Sequence, residues 1–184
     1  NGNQGEYKLG DVAVMYRVNA QSRALEESCL RYGVPYQVVG GQKFYQRQEV
    51  KDLTAYLRLL ANSHDDVSLT RVINLPSRGI GRRTLDELAR LARDSEVSMF
   101  DAIGLLGQSE KQPAPPVTSA ITARAVRALT DFRDLIAGLR QASETLSLVD
   151  LMDEVMERSG YRDHLTETTD RSEERLENIQ EFKS

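Results

Sequence analysis

From Glu49 onward the apolar residues recur at intervals of three and four, with no alternating stretch, and this confines most of the chain to packed helices. In EVKDLTAYLRLLAN, Val50, Leu53, Tyr56, Leu57 and Leu60 share one face and predict an amphipathic helix. DVSLTRVINL predicts a short second helix ended by Pro76. TLDELARLARD predicts a third, opened by Thr84 with Glu87 three positions on, the pattern of a capping box. VSMFDAIGLL reads as another short helix, and residues 108–119, with three of the five prolines, read as a loop. Beyond the loop Ile121, Leu129, Phe132, Ile136 and Leu139 line one stripe. Leu148, Leu151, Met152, Val155 and Met156 line another, which stops at Gly160. Met and Leu at this spacing read as core, not as a cofactor box.

The first 40 residues read differently. Asp11–Val18 is short and β-branched and predicts a buried strand. AQSRALEESCLRYG follows as a helix, with Ala24, Leu25, Cys29 and Leu30 at helical spacing and Gly33 as its stop. A second strand begins at Pro35 and is closed by Gly40 and Gly41. Strand, helix, strand is a βαβ-like unit, and two strands alone do not make a stable sheet. The remainder of that sheet is therefore expected outside this sequence. An opening without Met and an end inside the helical pattern RSEERLENIQEFKS agree with a piece of a longer protein. The expected fold class is mainly α: a helical domain over residues 41–184, preceded at 1–40 by a small βαβ piece of an α/β domain.

A single cysteine, Cys29, allows no intrachain disulfide and is expected to be a buried structural thiol. With no signal-peptide layout in the first ten residues and no apolar run of about 18 residues, the expectation is a cytoplasmic protein without a membrane span. The net charge of −4 is unevenly spread. Residues 43–93 hold ten basic and six acidic side chains, a net of +4, whereas residues 94–184 hold ten and eighteen, a net of −8. A basic segment inside an acidic chain suits a nucleic-acid contact, and a solvated helical surface produces the same imbalance.

Enzyme chemistry finds little footing. The sequence has no GxxxxGK[ST] phosphate loop, no Gly-x-Ser-x-Gly elbow and no metal-ligand spacing around His64 or His164. No catalytic residue, metal site or cofactor is expected in this chain. The acidic pairs Asp65/Asp66 and Glu173/Glu174 read as surface charge or helix-end features.

The informative stretch is LPSRGIGRRTLDEL. Gly79 and Gly81 bracket Ile80 in a tight turn, and a helix starts at once, so unpaired N–H groups point outward beside glycines that admit close approach. Arg78, Arg82 and Arg83 surround this anion site, which suits a nucleic-acid phosphate. A plain helix–helix turn with exposed arginines fits the same residues. Arg17 and Asn19, at the end of the first predicted strand, can contact a phosphate or base edge, or serve as a structural arginine and an N-cap. In GGQKFYQRQEVKD, Lys43, Arg47 and Lys51 interleave with Phe44 and Tyr45, a mixture that suits single-stranded nucleic acid and equally a packed hinge.

Taken in order, AVMYRVNAQSRALEE, GVPYQVVGGQKFYQRQEVKDLTAYLRLLAN and VINLPSRGIGRRTLDEL resemble the UvrD/PcrA/Rep helicases of superfamily 1. The resemblance is dense from Asp11 to Leu91 and thins to helical pattern over 94–184, with ERLENIQEF again similar near the end. It implies an ATP-driven 3′→5′ DNA translocase of repair and replication, with two RecA-like motor domains that each carry an inserted helical domain. Residues 1–40 would belong to the second motor domain (2A) and 41–184 to its insertion (2B). By the same resemblance Arg17 and Asn19 hold the tracking single strand. Gly79, Ile80, Gly81 and Thr84 form the GIG element that grips duplex DNA, and Lys51 is a further duplex contact. Gly40 and Gly41 are the hinge about which 2B swings. ATP and Mg would serve the full-length parent and not this piece, which should be inactive alone. Expected partners are DNA at a duplex–single-strand junction, the remainder of the motor, and repair or transcription proteins. The alternative function is a regulatory docking module, built on the acidic second half, with little DNA binding of its own.

Overall fold

The computed structural model describes residues 8–17, 21–39, 44–108, 121–168 and 172–183. The described residues form a bundle of α1 (Gln21–Arg31), α2 (Gln48–Ala61), α3 (Asp66–Val72), α4 (Arg82–Asp94), α5 (Met99–Gln108), α6 (Ala123–Ser143), α7 (Leu148–Arg158), α8 (Tyr161–Thr168) and α9 (Ser172–Lys183), with short 3-10 turns at Leu9–Asp11 and Phe44–Gln46. Helix α2 is the central post and packs against α3, α6, α7 and α9. Its predicted face is buried at Val50, Leu53, Tyr56 and Leu60, joined by Leu59, while Leu57 is only partly covered. The α6 stripe is buried in full, from Ile121 just ahead of the helix to Leu139. On α7, Leu151, Met152, Val155 and Met156 are buried, but Leu148 is exposed because it occupies the first position of the helix, beyond the edge of the core.

The predicted βαβ piece is not formed among the described residues. Residues 12–16 and 34–38 have no regular structure, and no described residue is in a strand. The physical reason is the one the sequence already carries: an isolated strand leaves its N–H and C=O groups without a neighbouring ladder. Val12, Val14 and Met15 are exposed, Met15 to 94%. Helix α1 does form, and Gly33 lies just beyond its end as expected. Its orientation reverses the expectation, since the buried residues are Ser22 and Glu26 while Ala24, Leu25 and Leu30 are exposed and Cys29 is half-buried. The polar face is the one that meets the bundle.

That meeting is a buried polar joint. Arg47 donates to Asn178 Oδ1 on α9 and to Ser22 Oγ on α1 (3.0 Å), and Asn178 Nδ2 donates to Glu49 Oε1 on α2 (2.6 Å). Glu26 accepts from the Phe44 N–H (3.1 Å) and the Tyr36 hydroxyl (3.1 Å). The Phe44 ring lies under both the Arg23 and Arg47 guanidinium groups and against Tyr45 and Phe182. Phe44 and Arg47, open in the sequence between a nucleic-acid platform and a packed hinge, are thus interior groups of this joint, whereas Tyr45 is exposed.

Asp65 starts α3 by accepting from the Ser68 N–H and hydroxyl. The Ser68 hydroxyl, then its N–H, holds the Asp65 carboxyl below its ordinary value. A depressed folded value means stability that is present above the unfolded value and lost as pH falls through the folded one. Asp65→Ala should therefore lower the melting temperature at pH 7, and the gap to the parent should close as pH falls below about 4. In the core, Leu129→Ala should cost roughly 2–5 kcal/mol in urea unfolding, while Leu148→Ala at the exposed start of α7 should change stability by less than about 0.5 kcal/mol.

Candidate nucleic-acid interface

Between α3 and α4 the chain makes the Gly-Ile-Gly turn, and one side chain shapes it. Asn74 Oδ1 accepts from the N–H groups of both Arg78 (2.8 Å) and Ile80 (3.1 Å). Ile80 is 1% exposed and plugs the turn into the core. Gly79 (φ 74°) and Gly81 flank it on the surface, and a Cβ at either would meet nothing within 4 Å. Gly79 occupies the left-handed region that favours glycine, whereas Gly81 (φ −80°, ψ 169°) is in ordinary extended backbone.

Helix α4 begins at Arg82, two residues before the predicted start at Thr84. The extended Gly81 places its carbonyl to accept from the Leu85 N–H, so Gly81 is the N-cap and Thr84, half-buried, lies within the first turn. Glu87 pairs with Arg90 (2.7 Å) and forms no capping box. Glycine supplies no capping side chain, and no acid lies in the first turn. The first N–H groups of a helix have no intrahelical acceptor and carry partial positive charge, and here Arg82 and Arg83 stand exposed at the same end. By contrast α3, α6 and α7 are capped by the side chains of Asp65, Thr122 and Ser147. The α4 terminus is thus a concentration of positive charge that an anion would relieve.

Arg78, expected beside Arg82 and Arg83 at that anion site, instead turns inward. Its Nη1 donates to the carbonyls of Val72, Ile73 and Pro76 (3.2 Å each), and its Nη2 to the Tyr56 hydroxyl (3.2 Å) and the Ser159 carbonyl (3.1 Å). The guanidinium also lies over the Phe132 ring, 5.3 Å from its centre. The end of α3 leaves carbonyls without helical partners, and a cation there satisfies them and the helix dipole together. Lys51 is half-buried in the first turn of α2. Arg17 is exposed and its N–H donates to Gln21 Oε1 (3.2 Å). Asn19, Gly40, Gly41 and Lys43 lie outside the described residues.

The model of the UvrD-like helicase C-terminal domain matches residues 2–184. The chain belongs to that family. It is 44% identical over 181 residues to a protein named ATP-dependent DNA helicase PcrA from Staphylococcus aureus, and 42% identical over 181 residues to one of the same name from Staphylococcus epidermidis. In each case the match covers 96% of this chain and 23% of the relative's length.

In this UvrD-like chain several residues that organise the turn escaped the sequence reading. Asn74 stands two residues before Pro76 and four and six before the N–H groups it binds, and an asparagine ahead of a Pro/Gly-rich turn is a recognisable signal for a side chain that closes a loop. Tyr56 and Tyr161 look like core aromatics, yet a buried phenol needs a hydrogen-bond partner. Tyr56 donates to the Leu75 carbonyl, and Tyr161 donates to Asp52 Oδ2 (2.7 Å). Burial first, then the Asp52 charge, pushes the Tyr161 phenol far above its usual value, so it remains a donor. Asp52, 2% exposed, is also paired with Arg71 (2.6 Å). His64 pairs at the surface with Asp101 (3.3 Å), and His164 stacks on Tyr161. Among the described residues no group of His, Cys, Asp and Glu could hold a metal ion, and no helix is long and apolar enough to cross a membrane.

The two glycines separate folding from surface chemistry. Gly79→Ala forces a left-handed alanine and should destabilise the chain by about 1–2 kcal/mol in urea unfolding. Gly81→Ala meets neither strain nor a neighbour, and its cost should be confined to the poorer N-cap, at most about 1 kcal/mol.

Proposed function

We propose that this chain is the DNA-gripping part of an ATP-dependent 3′→5′ DNA helicase, with residues 1–40 belonging to its second motor domain and 41–184 to the inserted 2B domain. Gly79, Gly81, Arg82, Arg83 and Thr84 grip the phosphate backbone of duplex DNA, with Ile80 anchoring the turn that presents them and Lys51 as a further contact. Arg17 and Asn19 hold the single strand, and Gly40 and Gly41 form the hinge for 2B rotation. The observation that carries the grip is the α4 terminus: without a capping side chain, without a first-turn acid, flanked by two exposed arginines and by glycines with open space above them. A phosphate supplies the missing acceptor and the missing negative charge in one group. The exposed apolar residues Val12, Val14, Met15, Leu25 and Leu30 support a first segment that docks on the remainder of the motor.

The sequence has no phosphate loop to cradle a nucleotide. Nucleotide hydrolysis is therefore assigned to the rest of a longer protein, and the chain by itself is expected to be inactive. One observation favours the docking alternative. Leu146, Leu148 and Val149 stand exposed around the start of α7, within the acidic half of the chain, as a surface for a repair or transcription partner.

Fluorescence anisotropy with a 3′-tailed duplex across a salt series tests the grip. Removing one cation that neutralises a phosphate should flatten the slope of log K against log salt by about 0.9, so Arg82→Ala and Arg83→Ala should each weaken binding and reduce the slope by that amount. Gly81→Ala should weaken duplex binding while costing no more stability than a weakened N-cap, at most about 1 kcal/mol. Wild-type affinity and slope in all three variants would reject the grip.

A further inference from the structure

We infer that Arg78 is a positioning residue for the duplex grip, acting through a closed ring of hydrogen bonds that ties the Gly-Ile-Gly turn to α2 by way of the α7–α8 corner. The inference rests on the grip proposed above. The ring starts on α2, where Asp52 accepts from the Tyr161 hydroxyl at the start of α8 (2.7 Å). The Tyr161 N–H donates to Ser159 Oγ (3.2 Å), and the Ser159 carbonyl accepts from Arg78 Nη2 (3.1 Å). The same Nη2 donates to the Tyr56 hydroxyl (3.2 Å), which returns the ring to α2 one helical turn beyond Asp52. Gly160 sits inside the ring at φ 74°, with Pro76 Cγ 3.8 Å from where its Cβ would be. The turn and the corner therefore touch through both a polar and an apolar contact.

The chemistry requires arginine. Five acceptors meet the two terminal nitrogens of one planar guanidinium: the Val72, Ile73 and Pro76 carbonyls share the two N–H groups of Nη1, and the Tyr56 hydroxyl and Ser159 carbonyl take those of Nη2, a fixed fork that reaches two sites at once. A lysine ammonium offers three donors on a flexible stem and cannot satisfy that set. A phosphate contact has the opposite tolerance, because lysine serves there as a point charge. Arg78 carries the turn immediately, since Gly79 and Ile80 follow it in the chain, and Lys51 is the residue before Asp52. The ring thereby sets two proposed duplex contacts, on different helices, against each other.

The test uses this chain and the 3′-tailed duplex in the same salt series, with Arg78→Lys, Tyr161→Phe, the Arg82→Ala/Arg83→Ala pair and, as a control for general destabilisation, Leu139→Ala. Arg78→Lys should weaken binding roughly tenfold, a coupling of about 1.4 kcal/mol, while leaving the salt slope at its wild-type value. Tyr161→Phe, which removes one hydroxyl and keeps the ring, should weaken binding in the same direction with an unchanged slope. The double arginine variant should flatten the slope by about 1.8. Leu139→Ala should lower the melting temperature and leave duplex affinity unchanged. Wild-type affinity in Arg78→Lys, or in Tyr161→Phe where the lysine variant does not fold, overturns the positioning role while the double variant still supports the grip. A fall in affinity in Leu139→Ala as large as in Arg78→Lys also overturns it, by reducing the effect to general destabilisation. If the double variant binds as the wild type does, the grip fails and the positioning role fails with it.

Discussion

One guanidinium gathers four helices. Arg78 closes the carbonyl end of α3, bonds to the Tyr56 hydroxyl of α2 and the Ser159 carbonyl after α7, and lies over Phe132 of α6. Each acceptor it satisfies is a group whose burial without a partner costs roughly 1–3 kcal/mol. Few single interactions in the fold involve so many elements, and the turn that carries the exposed glycines is the segment from which it projects. A positively charged surface at α4 and a positively charged anchor at Arg78 are thus adjacent in sequence but opposite in task.

The second constraint is the polar joint where α1 meets the bundle. Arg47, Asn178, Glu49 and Ser22 form hydrogen bonds in a region that apolar packing would otherwise fill. Directional bonds of this kind specify an orientation more than they add stability, because the desolvation of Arg47 and Glu49 offsets much of their attraction. The joint joins elements from the two ends of the described chain, α1 and α2 at one and α9 at the other.

Periodicity alone placed the helices from α2 to α7 and most of their buried faces, because amphipathic spacing is a local property that burial simply follows. It misplaced the start of α4, since Thr84 and Glu87 make a capping box only if Gly81 does not begin the helix first. It also misjudged α1, whose apolar residues promised a buried face. Spacing reveals that a face exists but not which neighbour is present to cover it, and here the neighbour is the polar joint. The predicted strands failed for the same reason: a strand is completed by a partner, not by its own residues.

By itself the sequence determined the helical class, the family and the exposed glycine turn with its cations, because these rest on short-range pattern and residue identity. Tertiary structure decided the tasks of residues that look alike in one dimension. Arg78, Arg82 and Arg83 are near neighbours in a basic stretch, yet the carbonyls that meet the first come from α3 and the α7–α8 corner, the latter about 80 positions away. Phe44 and Arg47 read equally well as a nucleic-acid platform until α9 closed over them. The direction of a charged side chain is set by the acceptors that reach it, and distant chain supplies those acceptors only once the bundle has formed.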